Sequence, residues 1–178
     1  MKGNPVTYVL RLGLTLLVIT AVVAALLGGV NAITEDKIAT IKQEKSNAAM
    51  AQVLLAEEYQ PVDVPANHPL VIGLWSADDT GYVAECVVTG SQGDIDLMVG
   101  VDANGKVTGV SIVSMSETSG LGDNAKKDEW RAQFVGKGEV TVDKKGGEIE
   151  ALTGATITSN AVCEAVTDAV RCVEEVQS

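Results

Sequence analysis

Histidine is almost absent from this sequence, since His68 is the only one. Transition-metal sites in proteins use clustered His and Cys ligands, and His68 lies in a proline-rich stretch without such neighbours. A Ser-His-Asp arrangement would need the same histidine and would arise only by chance. We therefore predict neither a metal site nor catalytic side chains.

Cysteine is also scarce, with only Cys86, Cys163 and Cys172. Three cysteines are too few for a disulfide framework. Cys163 and Cys172 lie nine positions apart in a predicted helix, where about 100° per residue turns them to opposite sides. We expect all three to be small side chains that are buried or have no function of their own.

The sequence has few basic residues: it contains 13 Lys and Arg but 24 Asp and Glu, which gives a formal net charge of −11. Lys2 and Arg11 are the only charged residues before residue 35, so the rest of the chain carries −13, two units more negative than the whole. A field of this sign repels nucleic acid and free nucleotides. We therefore do not expect the protein to bind nucleic acid.

One long apolar run, residues 12–32, contains no charged residue. About 20 such residues in a helix cross the hydrocarbon core of a bilayer. Lys2 and Arg11 precede the run, and basic flanks stay in the cytoplasm, so we expect a single-pass protein of the cell membrane with its amino terminus inside. A cleaved signal peptide ending at Val30-Asn31-Ala32 is the alternative, although the run is long for a signal core.

We accordingly predict a cytoplasmic stub and transmembrane helix over 1–33, a connecting helix over 34–60 and an extracytoplasmic domain over 61–178. Thr34 and the two acids after it are typical of a helix start. The connecting helix is predicted to run to about Tyr59, where a proline-rich loop follows.

The remaining sequence predicts an antiparallel sheet. Alternating apolar residues over 94–101 are typical of a half-buried strand, and Asn104-Gly105 favours a hairpin turn. The predicted elements are strands at 70–75, 81–89, 94–101 and 106–114, a loop at 116–124, a short helix at 125–134, strand and turn over 138–150, and a last helix at 159–176. This pattern predicts an α+β fold with flanking helices.

The segment directly before the last helix, residues 152–160, is rich in small and hydroxylic residues. Helix amino ends expose unpaired N–H groups and bind phosphate. Gly154 and Ala155 allow a bulky group to approach the backbone. Thr153, Thr156 and Thr158 offer hydroxyls that could ligate phosphate or be esterified by it. An ordinary Ser/Thr-rich helix cap is the alternative interpretation.

Residues 150–156, Glu-Ala-Leu-Thr-Gly-Ala-Thr, resemble the flavinylation motif of FMN-binding domains in Rnf-type and Na⁺-translocating NADH:quinone-type electron-transport complexes. That motif reads acid-x-x-(Ser/Thr)-Gly-Ala-Thr, and its last threonine carries FMN through a phosphoester bond. Glu150 stands where the family usually has Asp. The resemblance implies that Thr156 is the attachment point.

A second stretch, residues 117–122, resembles the family's Glu-Thr-Pro-Gly-Leu-Gly loop, with Ser119 in place of proline. The strand pair 97–107, the single amino-terminal span and the stretch 130–137 are similar to the family as well. Together they imply that Glu117 and Thr118 border the isoalloxazine or its ribityl chain, and that Thr158 helps to hold the diester. The implied cofactor-binding set is completed by Leu121, Gly122, Thr153, Gly154 and Ala155.

The resemblance implies a redox subunit with covalent FMN, in a complex that moves electrons between ferredoxin and NAD and pumps Na⁺ or H⁺. Neighbouring membrane subunits would hold an iron–sulfur centre and a second FMN, and a flavin transferase would attach the cofactor. The short chain favours the G subunit of an Rnf complex over the C subunit of the quinone reductase.

Other interpretations remain open at this stage. The chain could be a stand-alone FMN carrier for extracytoplasmic electron transfer, or a non-redox assembly subunit that has lost its flavin. Residues 120–125 also fit G-x-G-x-x-A, a dinucleotide-binding pattern, although the preceding strand is predicted to pair in a hairpin rather than in a parallel unit.

Overall fold

The computed structural model describes residues 5–143 and 147–178. The elements in chain order are α1 (Pro5–Val53), β1 (Tyr59–Val62), β2 (Val71–Ala77), β3 (Gly81–Thr89), β4 (Asp94–Asp102), β5 (Val107–Met115), α2 (Asp128–Arg131) and α3 (Thr156–Gln177). Residue contacts divide the chain into two compact units, Met1–Glu44 and Lys45–Ser178.

The first unit is helical throughout its described part. The stretch Tyr8–Glu35 within α1 has 28 residues and a mean hydropathy of 2.4, so it is long and apolar enough to span a membrane. The predicted new helix at Thr34 is wrong, because α1 continues through this position. Thr34 Oγ1 donates to the Val30 carbonyl at 2.8 Å, a bond inside a continuous helix rather than a cap.

Helix α1 ends at Val53, earlier than the predicted end near Tyr59. The Tyr59 hydroxyl donates to the Leu54 carbonyl at 2.6 Å, and the Glu57 N–H donates to Asp78 Oδ2 at 2.9 Å. These bonds turn the chain towards the sheet, where β1 begins at Tyr59. Helix α1 therefore ends earlier than its local composition predicts, and contacts with residues later in the chain hold the segment that follows it.

The second unit is built on a five-stranded antiparallel sheet in the order β1-β2-β3-β4-β5. The four predicted strands and the turn at Asn104-Gly105 are confirmed to within two residues at each end. Strand β1 was not predicted, because Pro61 marks the stretch as a loop. Proline is tolerated in an edge strand, where its missing N–H breaks no central ladder bond.

Both faces of the sheet are covered. Helix α3 packs on one face, where its buried Val162, Val166 and Val170 join the main core. On the other face, Ala49, Met50 and Val53 at the end of α1 pack against β3 and β4. Strand β4 is therefore buried on both faces, and the predicted half-buried strand is wrong in this respect.

The end of α1 approaches the sheet closely because two paired positions lack side chains. Gly100 in β4 lies opposite Gly109 in β5. A Cβ added to Gly100 would lie 2.6 Å from the Val53 carbonyl oxygen, which is too close for any larger residue. Thr108 Oγ1 donates to the same carbonyl at 2.6 Å, which satisfies an acceptor at the helix end.

The segment between β5 and α3 is more irregular than predicted. The predicted helix at 125–134 is divided into a 3₁₀ turn at Gly122–Lys126, the single turn α2, and a second 3₁₀ turn at Ala132–Phe134. Of the predicted strand over 138–150, the described part forms an isolated bridge between Val142 and Ile149, and residues 144–146 lie outside the described ranges. Helix α3 starts at Thr156 rather than near residue 159.

Candidate functional site

The amino end of α3 lines a cavity of about 450 Å³, a size typical of small-molecule sites. Three segments that are distant in sequence form its wall. They are Ser91 and Gln92 in the turn between β3 and β4, Glu117, Thr118, Leu121 and Gly122 after β5, and Gly154, Ala155, Thr156, Ile157 and Thr158 at the start of α3. Eight of the nine residues predicted to bind the cofactor therefore line one cavity.

The start of α3 carries no side-chain cap. Ala155 occupies the N-cap position with φ of −131° and ψ of 45°, and no side chain bonds the first helical N–H groups. The hydroxyls at this turn therefore do not form the ordinary Ser/Thr helix cap. The Ser159 hydroxyl instead donates to the Ala155 carbonyl at 3.0 Å and accepts from the Leu152 N–H at 2.9 Å. The uncapped end suits an anion.

Gly154 shapes the turn before the helix. Its φ of +75° lies in the left-handed region that side chains disfavour. A Cβ at this position would also lie 3.0 Å from the Leu121 side chain. Glycine therefore permits both the backbone turn and the close packing of the two loops that line the cavity.

Glu117 joins the three wall segments. Its Oε1 accepts from the N–H groups of Ser91 at 2.6 Å and Gln92 at 3.2 Å, and its Oε2 accepts from the Thr158 hydroxyl at 3.0 Å. A Cβ on Gly122 would lie 2.5 Å from that same Oε2, so the loop packs directly on the carboxylate. Glu117 holds the cavity together as well as lining it.

The bond to Glu117 also bears on Thr158, which is completely buried. A hydroxyl has one proton to donate. Because Thr158 gives it to the Glu117 carboxylate in this structure, only its lone pairs remain for other partners. The predicted role of Thr158 as a donor to a phosphate diester would need this bond to break.

Thr156, by contrast, has an unused hydroxyl. The Asn160 side-chain amide donates to the Thr156 carbonyl at 2.8 Å, but the Thr156 hydroxyl makes no hydrogen bond within residues 5–143 and 147–178. No carboxylate or imidazole among these residues is bonded to it as a base. Thr156 is thus a half-buried hydroxyl on the wall of the cavity, at the first residue of a long helix.

Thr153 is the one predicted cofactor residue that does not line this cavity. It lines a neighbouring cavity of about 340 Å³ together with Glu150. The Trp130 indole N–H donates to the Glu150 carbonyl at 2.8 Å, and the Glu150 N–H donates to Gln133 Oε1 at 2.8 Å. The seven motif residues therefore divide between two cavities.

Sequence reasoning missed Ser91, Gln92 and Ile157 as wall residues. Ser91 and Gln92 look like ordinary turn residues, and only the pairing of β3 with β4 and their bonds to Glu117 bring them to the site. Ile157 is 62% exposed and lies within the hydroxyl-rich stretch itself. In the sequence, the available signal was an isoleucine directly after Thr156 in a stretch of small and hydroxylic residues.

The dinucleotide-binding interpretation is not supported by the fold. The stretch 120–125 follows an antiparallel strand and leads into a 3₁₀ turn of five residues, Gly122–Lys126. A dinucleotide site of this type needs a parallel βαβ unit and a helix long enough to bind pyrophosphate. The sheet described here has no parallel strand pair.

The residues set aside in the sequence have structural roles. His68 Nδ1 lies 2.8 Å from Asp168 Oδ1, and His68 Nε2 lies 3.2 Å from Glu175 Oε2, so the histidine joins its loop to α3. Over the described ranges, no group of three potential ligands could hold a metal ion. All three cysteines are buried, as predicted, and none of them is in a disulfide. Burial raises the pKa of the Cys86 thiol, and burial beside Asp168 raises the pKa of Cys172 to about 11.

Comparisons with known proteins agree on one family. Residues 90–171 match the FMN-binding domain family, and residues 1–53 match the RnfG N-terminal region. The chain is 34% identical to the G subunit of the ion-translocating oxidoreductase complex of Methanosarcina acetivorans, over 88% of this chain and 89% of that protein. It is 33% identical to the G subunit of the Na⁺-translocating ferredoxin:NAD⁺ oxidoreductase complex of Acetobacterium woodii, over 89% and 88%.

A shorter match and a solved structure add to this. The chain is 48% identical to the G subunit of the proton-translocating ferredoxin:NAD⁺ oxidoreductase complex of Clostridium ljungdahlii, over 50% of this chain and 51% of that protein. The crystal structure of the C subunit of Na⁺-translocating NADH-quinone reductase from Parabacteroides distasonis superimposes with a TM-score of 0.54 at 18% identity, over 76% of this chain and 83% of that chain. The likeness to this crystal structure establishes a shared fold.

Proposed function

Because the chain belongs to the family of G subunits of ion-translocating oxidoreductase complexes, we propose that it relays electrons through FMN attached covalently to Thr156. The observation that carries the proposal is the free Thr156 hydroxyl at an uncapped helix end, on the wall of a cavity of about 450 Å³. Helix amino ends favour phosphate through unpaired N–H groups and the helix dipole.

The charges around the cavity support a covalent link over free binding of FMN. Among the described residues that line it, Glu117 alone is charged, so no cation there attracts a phosphate dianion. The chain beyond residue 35 is strongly acidic and adds a repulsive field. An ester bond to Thr156 makes retention independent of the free FMN concentration and reduces the phosphate to a monoanionic diester.

The attachment reaction requires an activated donor. We propose a flavin nucleotide in which a phosphoanhydride joins FMN to a second phosphate group. The Thr156 Oγ1 attacks the FMN phosphorus, the Oγ1–P bond forms, the anhydride P–O bond breaks, and the second phosphate leaves. The hydroxyl proton goes to a base, and no electron is transferred. Since no described residue is bonded to the Thr156 hydroxyl as a base, a flavin transferase supplies the catalyst.

Once bound, FMN supplies one- and two-electron redox chemistry, and the protein supplies position and electrostatics. The first turn of α3 holds the diester. Glu117 keeps the wall segments at fixed distances through its three bonds. Leu121 and Ile157, 43% and 62% exposed, present apolar surface at the cavity. Glu117, the one carboxylate among the described wall residues, already accepts three hydrogen bonds, which fits a structural role in a carrier without independent turnover.

The relatives indicate which complex the protein serves. Those of Acetobacterium woodii and Clostridium ljungdahlii are named as parts of ferredoxin:NAD⁺ oxidoreductases that translocate Na⁺ and protons, respectively. We propose the same electron donor and acceptor here, with flavin- and iron–sulfur-bearing membrane subunits as partners. The chain resembles the quinone reductase protein only at the level of fold, which makes that assignment, like a stand-alone carrier, the weaker candidate.

We also propose a topology. Residues 1–33 form the cytoplasmic stub and membrane span, residues 34–60 connect, and residues 61–178 lie outside the cytoplasm. Arg11 on one side of the span and Glu35 on the other support this orientation. A Ser178→Cys protein tests it, because its native cysteines are buried. A membrane-impermeant maleimide should label intact cells, and labelling only after lysis would contradict the orientation.

Mass spectrometry of the peptide containing Thr156 tests the covalent link. Full-length protein produced with a flavin transferase should carry the added mass of FMN at Thr156 and fluoresce on a denaturing gel. Thr156→Val should abolish both signals, and Thr118→Val is the matched control, because it removes a hydroxyl from the same cavity and should keep them. A Thr156→Val protein that retains covalent flavin would disprove the assignment.

A further inference from the structure

The single histidine of the chain lies where three segments meet, in the loop 63–70 between β1 and β2. His68 Nδ1 is 2.8 Å from Asp168 Oδ1 and His68 Nε2 is 3.2 Å from Glu175 Oε2, and both acids belong to α3. Asp168 Oδ2 also accepts from the Leu70 N–H at 3.1 Å, and the Leu70 carbonyl accepts from the Val87 N–H in β3 at 2.9 Å. The loop is therefore bonded to α3 on one side and to β3 on the other.

The two contacts of the imidazole determine how many protons the ring must carry. An ionised carboxylate accepts hydrogen bonds and donates none, whereas a neutral imidazole has one N–H donor and one lone pair. A neutral ring would therefore direct its lone pair at a carboxylate oxygen, at 2.8 or 3.2 Å. Only the doubly protonated ring donates to Asp168 and Glu175 at the same time.

We propose that His68, Asp168 and Glu175, here called the histidine clamp, form a pH-sensitive switch that fastens the loop 63–70 to α3. Histidine is the side chain whose ordinary charge change falls closest to neutral pH. While the ring carries both protons, it bridges the two acids. When the pH rises and one proton leaves, one of the two bonds must break and the loop is held less firmly.

The bond at Nε2 should break first. It is the longer of the two contacts, and the Glu175 side chain is 47% exposed, so its carboxylate can turn towards water. The Asp168 side chain is only 17% exposed and is kept in place by the Leu70 N–H. The neutral ring should therefore keep its proton on Nδ1, bonded to Asp168, and release Glu175.

Two cysteines and one arginine also face the clamp. Cys86 in β3 and Cys172 in α3 both lie near Asp168. Burial raises the pKa of both thiols, that of Cys172 to about 11, so neither thiol titrates near neutral pH. Arg171 lies one helical turn from Asp168, and its Nε donates to Glu139 Oε1 at 3.0 Å. Arginine keeps its proton throughout.

The remaining acids of the surrounding elements do not bond His68, whose partners in the described part of the chain are Asp168 and Glu175. These acids are Asp63 on the same loop, Glu85 in β3, Asp96 in β4, and Glu164 and Glu174 in α3. The charge change at His68 therefore acts on the two acids of the clamp.

The clamp also forms part of the wall of a third cavity, of about 360 Å³. Pro69 and Leu70 line it from the loop and Asp168 lines it from α3. A change in the fastening of the loop therefore changes a wall of this cavity. The inference does not depend on FMN at Thr156, and its test reads out protons and exchange rates rather than flavin.

The test follows the protons of the ring directly. Full-length protein without a histidine tag is produced with ¹⁵N-labelled histidine, purified in detergent and titrated from about pH 5 to about pH 9. Because His68 is the only histidine, two ring signals are expected. At low pH both nitrogens should resonate as N–H groups. As the pH rises, the Nε2 signal should move to the range of a lone-pair nitrogen, whereas Nδ1 stays protonated.

Amide hydrogen exchange reports whether the proton matters for the loop. The protection factor of the Leu70 N–H, which donates to Asp168, should fall over the same pH interval as the Nε2 change. The Val107 N–H donates to the Lys137 carbonyl at 2.8 Å, outside the clamp, and serves as the control. Its protection factor should not change over this interval.

Two variants on α3 test the role of the second acid. Glu175→Gln removes a negative charge beside the ring, so His68 should lose its proton at a lower pH than in the unmodified protein, and the Leu70 change should move with it. Glu174→Gln is the matched control, because it removes the charge of the adjacent exposed residue, which does not bond His68. Its titration should follow that of the unmodified protein.

The outcomes decide between a switch and a fixed contact. One unprotonated ring nitrogen at every pH at which the protein is folded would overturn the proposal, because the proton between His68 and Glu175 would then belong to the acid. A ring that keeps both protons up to pH 9, or Leu70 protection that ignores the loss of the proton, would overturn it as well. Coincident changes at Nε2 and Leu70, shifted together by Glu175→Gln but not by Glu174→Gln, support it.

Discussion

Glu117 provides the sharpest test of how the cofactor cavity is held together, since its carboxylate bonds groups from two other segments. Replacing it with alanine removes three hydrogen bonds, to the N–H groups of Ser91 and Gln92 and to the Thr158 hydroxyl. Ser91 and Gln92 can bond water instead, but Thr158 is completely buried.

The magnitude follows from this difference in burial. Leaving the Thr158 hydroxyl without a partner costs about 1–3 kcal/mol. The exposed N–H groups of Ser91 and Gln92 lose the Glu117 oxygen as their acceptor and bond water instead, which costs about 0.5–1 kcal/mol for each group. We therefore expect Glu117→Ala to lower the free energy of unfolding by about 2–5 kcal/mol. Glu117→Gln should lose less, because its amide oxygen still accepts from one side.

The assay is urea unfolding of the full-length protein in detergent, followed by the fluorescence of Trp75 and Trp130. A double-mutant cycle with Thr158→Val isolates the bond between the two side chains. Because Thr158→Val removes the stranded hydroxyl, we expect the double mutant to be about 1 kcal/mol more stable than the two separate losses imply. If Glu117→Ala costs less than about 0.5 kcal/mol, or the losses simply add, Glu117 does not hold the cavity together.

Three further predictions concern the rest of the domain. Gly100→Ala should destabilise the domain by about 2 kcal/mol or more, because the added Cβ would clash with the Val53 carbonyl. Gly93→Ala is the control, because its added Cβ would make only an ordinary contact with Ser116 at 3.7 Å, and it should be nearly neutral in the same urea titration. His68→Gln should cost about 1–3 kcal/mol through the lost bonds to two α3 carboxylates, and a melting temperature equal to that of the unmodified protein would contradict this. Burial raises the pKa of the Cys86 thiol in the folded protein far above its ordinary 9.0, so this thiol ionises first in the unfolded chain. We therefore expect Cys86 to lower the free energy of unfolding by about 1.4 kcal/mol per pH unit above pH 9. Cys86→Ala should remove this part of the pH dependence, and an unchanged pH dependence would refute the prediction.

The sheet shows which features local patterns can predict. Strands β2 to β5 follow from apolar runs bounded by turn residues, and the Asn104-Gly105 turn follows from two residues that tolerate positive φ. Strand β1 was missed, because a proline-bearing stretch becomes a strand only when an edge is available for pairing. The full burial of β4 was missed as well, because its second cover comes from the end of α1, some 45 residues earlier in the chain.

The predicted helix start at Thr34 failed for a related reason. A threonine followed by two acids favours a helix amino end, but it does not terminate a helix that already arrives there. Gly28, Gly29 and Asn31 precede it, but α1 runs through all three without a break. The Thr34 hydroxyl instead donates to the Val30 carbonyl, one helical turn earlier in α1.

The sequence by itself determined the apolar amino-terminal helix, the antiparallel strands and the position of Thr156 at the head of α3, because these depend on residues close together in the chain. Only the tertiary structure decided that Glu117 would bond three groups from two other segments, that the Thr156 hydroxyl would stay free, and that Glu150 and Thr153 would line a different cavity. Those features depend on which distant segments meet, and that is set by packing of the whole sheet between its two helices rather than by any local pattern.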